Sequence, residues 1–240
     1  MATSFLNLCN AVLRRLNEVE MEAVDFDTAR GVQALVKDAV QNSIYRINQA
    51  EFFWPFNAAE SATVLTVGQQ DYDFPSDFKV VEWNSFQLQK NDALGVDYTG
   101  LDFISRDDWY DKLRDLDFSA GGTGRDVPSA VFPGTTGGFG VSPSPNKNYT
   151  VRYRYYRGAT ALVNSSDVTR IPSTYDYVIV EGALHNMYMY RDNPESAQLS
   201  LNYFEQGIKE MQTLLINQYD RITDRRINFG GNKVTTTVLV

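Results

Sequence analysis

Cysteine and histidine are almost missing from this chain. Of its 240 residues, one is a cysteine, Cys9, and one a histidine, His185. A single cysteine excludes an internal disulfide, and zinc sites built from clustered Cys and His go with it. Cys9 falls on an apolar helical pattern and reads as a small buried hydrophobe. His185 has no G-x-S-x-G nucleophile pattern beside it, so it reads as a structural residue rather than the base of a triad. Long apolar runs are missing too. None approaches the ~20 residues that a membrane span needs. Phe5 and Leu6 are followed at once by Asn7, Asn10, Arg14 and Arg15, so no secretory leader is expected and folding in the cytosol is. Positive charge is in deficit. Against 30 Asp and Glu stand 22 Lys and Arg, a net charge of −8 with a pI near 4.7. Sequence-independent binding to duplex DNA needs a positive field and is not expected.

What is present is enough for a real core. Hydrophobic residues make up 43% and charged ones 22%, which places the chain among globular proteins. The clearest pattern is residues 171–219, read as two helices with a tight joint. Pro172 and Ser173 open the first, whose apolar face carries Tyr175, Val178, Ile179, Ala183, Met187 and Tyr190. At the joint, Asn193 suits an N-cap and Pro194 the first helical position. The second helix puts Ala197, Leu201, Phe204, Ile208, Met211 and Leu215 on one stripe. Neither stripe can be buried alone, and two N-terminal helices supply partners. Ser4 caps the first, with Phe5, Leu8, Cys9, Val12, Leu13 and Leu16 on a face. Asp27 caps the second, which carries Val32, Leu35, Val36, Ala39, Val40, Ile44 and Ile47 up to the cluster Phe52-Phe53-Trp54-Pro55.

From residue 58 the period shifts towards two. Strands are expected at 62–67, at 78–88 and at 96–104, with a turn at Gly68-Gln69-Gln70 and an extended piece at 72–75. Ser105 starts a short helix near 105–116. A glycine-rich loop at 118–127, short strands near 130–132 and 139–141, and a strand at 149–157 follow. In the last, Val151, Tyr153 and Tyr155 alternate with Arg152 and Arg154. The predicted fold class is α+β: a four-helix bundle (residues 1–57 and 172–222) with an inserted β-rich domain (58–171) and an extended C-terminal arm (223–240). The arm contains two glycines and then Lys233, Val234, Thr235, Thr236, Thr237, Val238, Leu239 and Val240, a run of high β propensity. It reads as an unordered end, as a last strand of the β module, or as an arm that adds a strand to another protein chain.

Little catalytic chemistry is visible. Gly121-Gly122-Thr123-Gly124-Arg125 lacks the spacing and lysine of a phosphate loop. Asp71, Asp73 and Asp77, or Asp107, Asp108 and Asp111, lack calcium-loop spacing. Paired carboxylates acting on cell-wall glycan stay open as an alternative. So does a single-strand nucleic-acid surface made of Arg152, Arg154 and Arg157 interleaved with Tyr153, Tyr155 and Tyr156. No cofactor or metal is expected.

The order of features over nearly the whole chain resembles the head-to-tail adaptor proteins of short-tailed bacteriophages, the group that includes tail tubular protein A. The resemblance rests on Val67-Gly68-Gln69-Gln70-Asp71-Tyr72, on Tyr153-Arg154-Tyr155-Tyr156, on Asp167-Val168-Thr169-Arg170-Ile171-Pro172 with Tyr175, and on Glu181-Gly182-Ala183-Leu184 in the helix pair. It implies a non-enzymatic virion protein, assembled in the host cytoplasm as a ring of about twelve copies at the head-tail junction. The portal and the tail nozzle are its implied partners, with residues 233–240 as the portal-binding arm. DNA would pass through without specific binding, and acidic walls would repel it.

Overall fold

The computed structural model of the chain describes residues 3–92, 95–114, 124–135 and 137–216. It is mixed α+β. The chain divides into two compact units, one of Met1–Phe56 with Thr160–Val240 and one of Asn57–Ala159.

The first unit holds helices α1 (Phe5–Arg15), α2 (Val32–Ala50), α4 (Asp176–Tyr190) and α5 (Pro194–Leu215). Ser4 caps α1 as expected, its hydroxyl accepting from the Asn7 amide. Two more first-turn amides of α1 are met by a distant segment: Phe5 N–H donates to Asp167 O at 2.7 Å and Leu6 N–H to Ser165 O at 3.1 Å. The 163–171 segment is held in turn by Asp167, whose carboxylate accepts from the Val163 and Asn164 amides at 2.7 and 2.8 Å. These bonds keep the Asp167 carboxyl below its ordinary pKa.

Asp27 does not cap α2. The helix begins five residues later, and its N-cap is Gly31 at φ +59°, a conformation that suits glycine and makes no side-chain cap bond. At the other end Trp54 is fully buried and donates from Nε1 to Ile47 O at 2.8 Å, while Phe52 and Phe53 are exposed. The aromatic plug is thus one residue, not three.

Helix α4 packs against α1, α2 and α5. Its residues 178–184 are all buried, and Tyr190, expected on the apolar face, is exposed. A helix buried on several sides has no single stripe to read. A 3-10 turn, Ser173–Tyr175, precedes it, and Ser173 makes no side-chain cap there. On α5 the buried stripe is Ala197, Ser200, Phe204, Gly207 and Met211, rotated from the expected one: Leu201, Ile208 and Leu215 sit at its margin. Small residues take the centre because α4 comes close. A Cβ on Gly207 would lie 2.6 Å from Val178 Cγ2, and one on Gly182 of α4 would lie 2.6 Å from Phe204 Cε2.

The second unit is built on β11 (Tyr149–Arg157). On one side β11 pairs antiparallel with β1 (Ala58–Leu65) along eight residues; on the other it pairs with β3 (Phe78–Val81) and β4 (Gln87–Asp92). Strand β5 (Gly95–Gly100) completes the order β1-β11-β4-β5. The stretch 78–88 is therefore not one strand. It breaks at a 3-10 turn, Trp83–Ser85. A second sheet runs β2 (Asp71–Tyr72), β9 (Phe139–Ser142), β8 (Ala130–Pro133), β6 (Asp102–Phe103), and β7 (Arg125–Asp126) pairs with β10 (Ser144–Pro145). Helix α3 (Arg106–Lys112) starts at Ser105, as expected, with Asp107 and Asp108 in its first turn. The sheets enclose an aromatic core in which Phe86, Phe139 and Tyr153 stack or meet edge to face at 4.8–5.4 Å.

Candidate functional site

The arm assigned to portal binding, residues 233–240, lies outside the described residues, as does most of the glycine-rich loop. The candidates that can be located are the surface of the helical unit and the outer face of the β unit.

On the helical unit, α5 has a second apolar stripe. Leu199, Tyr203 and Leu214 are 54%, 51% and 54% exposed and lie along one flank of the buried stripe, with Gln206 and Glu210 between Tyr203 and Leu214. Beside it runs a groove of about 240 Å³ lined by Arg15 of α1, Tyr177 and Glu181 of α4, and Tyr203, Gly207 and Glu210 of α5. Gly207 lets the two helices approach and forms the floor. Glu181 is buried and paired with Arg15, which offsets the desolvation of its charge. The Tyr177 hydroxyl donates to Glu210 at 2.8 Å. Partial burial and then that carboxylate push the Tyr177 phenol up to about 12. The groove carries two carboxylates against one guanidinium and is rimmed by two tyrosines.

The outer face of the β unit carries the arginines. Arg154 pairs with Glu82 at 3.0 Å, Arg157 with Asp77 at 3.7 Å, and Arg152 donates to Gln89 at 3.3 Å. Of their aromatic neighbours, Tyr153 and Tyr155 turn inward and are buried in the core, while Tyr156 shares the face of Arg154 and its hydroxyl donates to the same Glu82. A single-strand binding sheet needs open rings and free cations on one face. Here Tyr153 and Tyr155 are turned inside, Arg154 and Arg157 are ion-paired, and Arg152 is hydrogen-bonded to Gln89. An open cleft of about 410 Å³ lies on that face, lined by Glu60, Ser61, Asn84, Ser85, Arg152 and Arg154.

The residues sifted for catalysis hold structural posts. His185 Nδ1 lies 3.0 Å from Ala197 O, tying α4 to α5. Cys9 is fully buried, and desolvation pushes its thiol up to about 12. Asp77 accepts from the Tyr155 hydroxyl at 2.9 Å. Asp108 accepts from Ser105 and Lys112, which holds its carboxyl below the usual range. Among the described residues no group of three or more His, Cys, Asp or Glu could hold a metal ion. No described helix is long and apolar enough to cross a membrane.

The run Val67-Gly68-Gln69-Gln70-Asp71-Tyr72 proves to be a locked turn. Gly68 sits at φ +73°, and the Tyr72 hydroxyl reaches back to accept from Thr66 N–H at 3.0 Å and to donate to Gln69 O at 2.9 Å. Its chemistry is packing, not reaction.

The family model described as SU10 adaptor protein matches residues 3–228. The chain belongs to the SU10 adaptor protein family. It is a bacteriophage head-to-tail adaptor, a structural component of the virion that works by contact with other phage structural proteins. None of the curated proteins compared matches the chain. The surfaces above are accordingly those of an adaptor, and the paired-carboxylate and nucleic-acid readings draw no support from the family.

Proposed function

We propose that this adaptor forms a closed ring between the portal and the tail nozzle, in the manner of the short-tailed phage group that includes tail tubular protein A, and that the genome passes through the ring. Twelve copies, the four helices packed as a bundle in each, and the C-terminal arm reaching the portal belong to the same proposal. The single observation that carries it is the double patterning of α5. One stripe is spent inside the subunit, while Leu199, Tyr203 and Leu214 remain outside beside a groove rimmed by Tyr177. A closed ring needs two different, complementary patches on each subunit. A stripe and an adjoining groove on one helix, facing a different patch of the next copy, supply half of such a contact, and exposed apolar side chains grouped in this way mark an interaction surface.

The test is native mass. The adaptor, alone and mixed with portal, is expected to form a ring in at least one of the two conditions. The double variant Tyr203→Asp, Leu214→Asp is expected to keep its circular dichroism spectrum and lose the ring. A ring of unchanged mass in that variant would overturn the assignment of this surface. A wild-type chain that stays monomeric in both conditions would overturn the ring.

A further inference from the structure

The sheet of the β unit ends in two bare edges. Strand β1 pairs with β11 alone and β5 with β4 alone among the described residues. Each edge carries one charged residue, Glu60 on β1 and Asp97 on β5, and neither has a lysine or a proline. β1 is Ala-Ala-Glu-Ser-Ala-Thr-Val-Leu, eight residues with no proline, no lysine and no bulge in its register with β11. Long, regular, lightly guarded edges are what proteins avoid unless something covers them.

The two edges fit each other. Neighbouring strands alternate in direction along β1-β11-β4-β5, so β5 runs opposite to β1. A second copy set beside the first in the same orientation therefore brings its β5 antiparallel to this β1. The register also fixes which side chains share a face. Val64 and Ala62 stand opposite Thr150 and Arg152, Gln89 opposite Thr150, and Tyr98 opposite Gln89. Val64 and Tyr98 thus lie on one face of the sheet at its two ends. They are 62% and 49% exposed, and Ala62, the next β1 residue on that face, leaves room beside Val64 for a ring. Aromatic beside β-branched is a favourable cross-strand pair. Residues 97–100 of β5 are exposed on both faces, as a strand ready to enter a second sheet would be.

We infer that β5 of one adaptor copy pairs antiparallel with β1 of the next, with Tyr98 against Val64, so that the sheet runs on from subunit to subunit. The inference rests on the ring reading and names a contact for it that is separate from the α5 surface. It commits to a second copy because head-to-tail use of two different edges propagates, whereas β1 against β1 would stop at a dimer.

Cysteine pairs test it. With Tyr98 beside Val64, Gly100 faces Ala62. A Cβ on Gly100 meets nothing within 4 Å, and Ala62 is exposed, so Ala62→Cys with Gly100→Cys is a mild change. Two strands separate β1 from β5 in one chain, about 14 Å, too far for an internal disulfide. Cys9 is buried and takes no part. Mild oxidation of assembled rings is expected to give a denaturing-gel ladder of dimer, trimer and upward that reduction collapses. Each single variant is expected to stay a monomer. Glu60→Cys with Gly100→Cys reads a register shifted by one pair, and a ladder there also supports the pairing. Rings of native mass with no ladder from either pair would overturn the inference and leave the ring standing. Dimers from Ala62→Cys alone would overturn it in favour of a two-fold contact. Hydrogen exchange on the wild-type ring needs no variant: slower exchange of residues 58–64 and 95–100 than in the free subunit is expected, and equal exchange in both would overturn it. Absence of any ring would remove the ring reading and this inference together.

Discussion

Gly207 on α5 lies against Val178 on α4 so closely that a Cβ added to the glycine would sit 2.6 Å from Cγ2 and 3.2 Å from Cγ1 of the valine. Valine has a stiff χ1 in a helix and cannot swing away. Gly207→Ala gains roughly 1 kcal/mol of helix propensity but forces overpacking that costs about 1–3 kcal/mol. The expected result is a net loss of about 1 kcal/mol in urea unfolding. Val178→Ala made on top of it is expected to recover part of the loss, although Val178→Ala alone destabilises. Additive losses in the double variant would show that the contact is not what limits the approach.

Among the described glycines of the β unit the tightest is Gly138. A Cβ there would fall 1.9 Å from the carbonyl oxygen of Tyr72, with backbone of Asp73 at 3.2 Å. Both obstacles are main chain, so no rotamer relieves them. Gly138→Ala is expected to separate β2 from β9 and cost about 3 kcal/mol. Gly100→Ala, which meets nothing, is expected to stay within about 0.5 kcal/mol of wild type. Midpoints of chemical denaturation for the two variants check the contrast, and similar values for both would contradict it.

Local signals carried the elements they govern. Ser4 with the apolar face from Phe5 to Leu13 marked α1, and the Val151, Tyr153, Tyr155 alternation marked β11, because period and cap are written within a few residues. Features set by distant partners were not legible. Ala58 to Ser61 has weak β propensity yet forms half of β1, because Tyr153 to Tyr156 offers a ladder to join. The α5 stripe was misread by one step. Leu201 and Ile208 outrank Ser200 and Gly207 in hydrophobicity, and only the nearness of α4 selects the small pair. The surface suited to assembly was partly readable, since Tyr203 and Leu214 stand off the main stripe. The Arg15–Glu181 pair beside it joins residues 166 apart and leaves no local trace. The resemblance to head-to-tail adaptors was legible for a related reason: its motifs are turns and caps, such as the Tyr72 lock.

Asp176 opens α4 and makes stability depend on pH. Burial raises its carboxyl above the ordinary value, and the hydroxyl of Thr3, which donates to Oδ2, only partly offsets this. Its Oδ1 is buried with no hydrogen-bond partner. The helix N-terminus favours a charge there, but the upward direction shows that desolvation wins. A folded-state pKa above the unfolded value gives stability that is complete at low pH and is lost as pH rises through the folded value. Asp176→Asn keeps an acceptor for Thr3 and cannot ionise. The melting temperature of the variant relative to wild type is therefore expected to climb as pH goes from about 4 to 7. A difference that stays constant, or falls, over that range would mean the carboxylate is not strained by burial.

The last prediction concerns the arm. From Arg225 onward the chain carries three basic residues and no acidic one, in a protein that is otherwise acidic, and its final eight residues are Lys233 to Val240 with a β-prone run of Val and Thr. Helix α5 ends before it, at Leu215, with the Ile216 amide donating to Gln212 O. Deleting residues 231–240 is therefore expected to leave unfolding temperature and circular dichroism unchanged. If this segment supplies a strand to the portal, the truncated adaptor is expected to lose portal binding, because main-chain bonds of an added strand are lost together with it. Co-sedimentation of truncated and full-length adaptor with portal separates the outcomes. Binding at full strength by the truncated form would place the portal contact elsewhere on the subunit, and a drop in unfolding temperature would place these residues inside the fold.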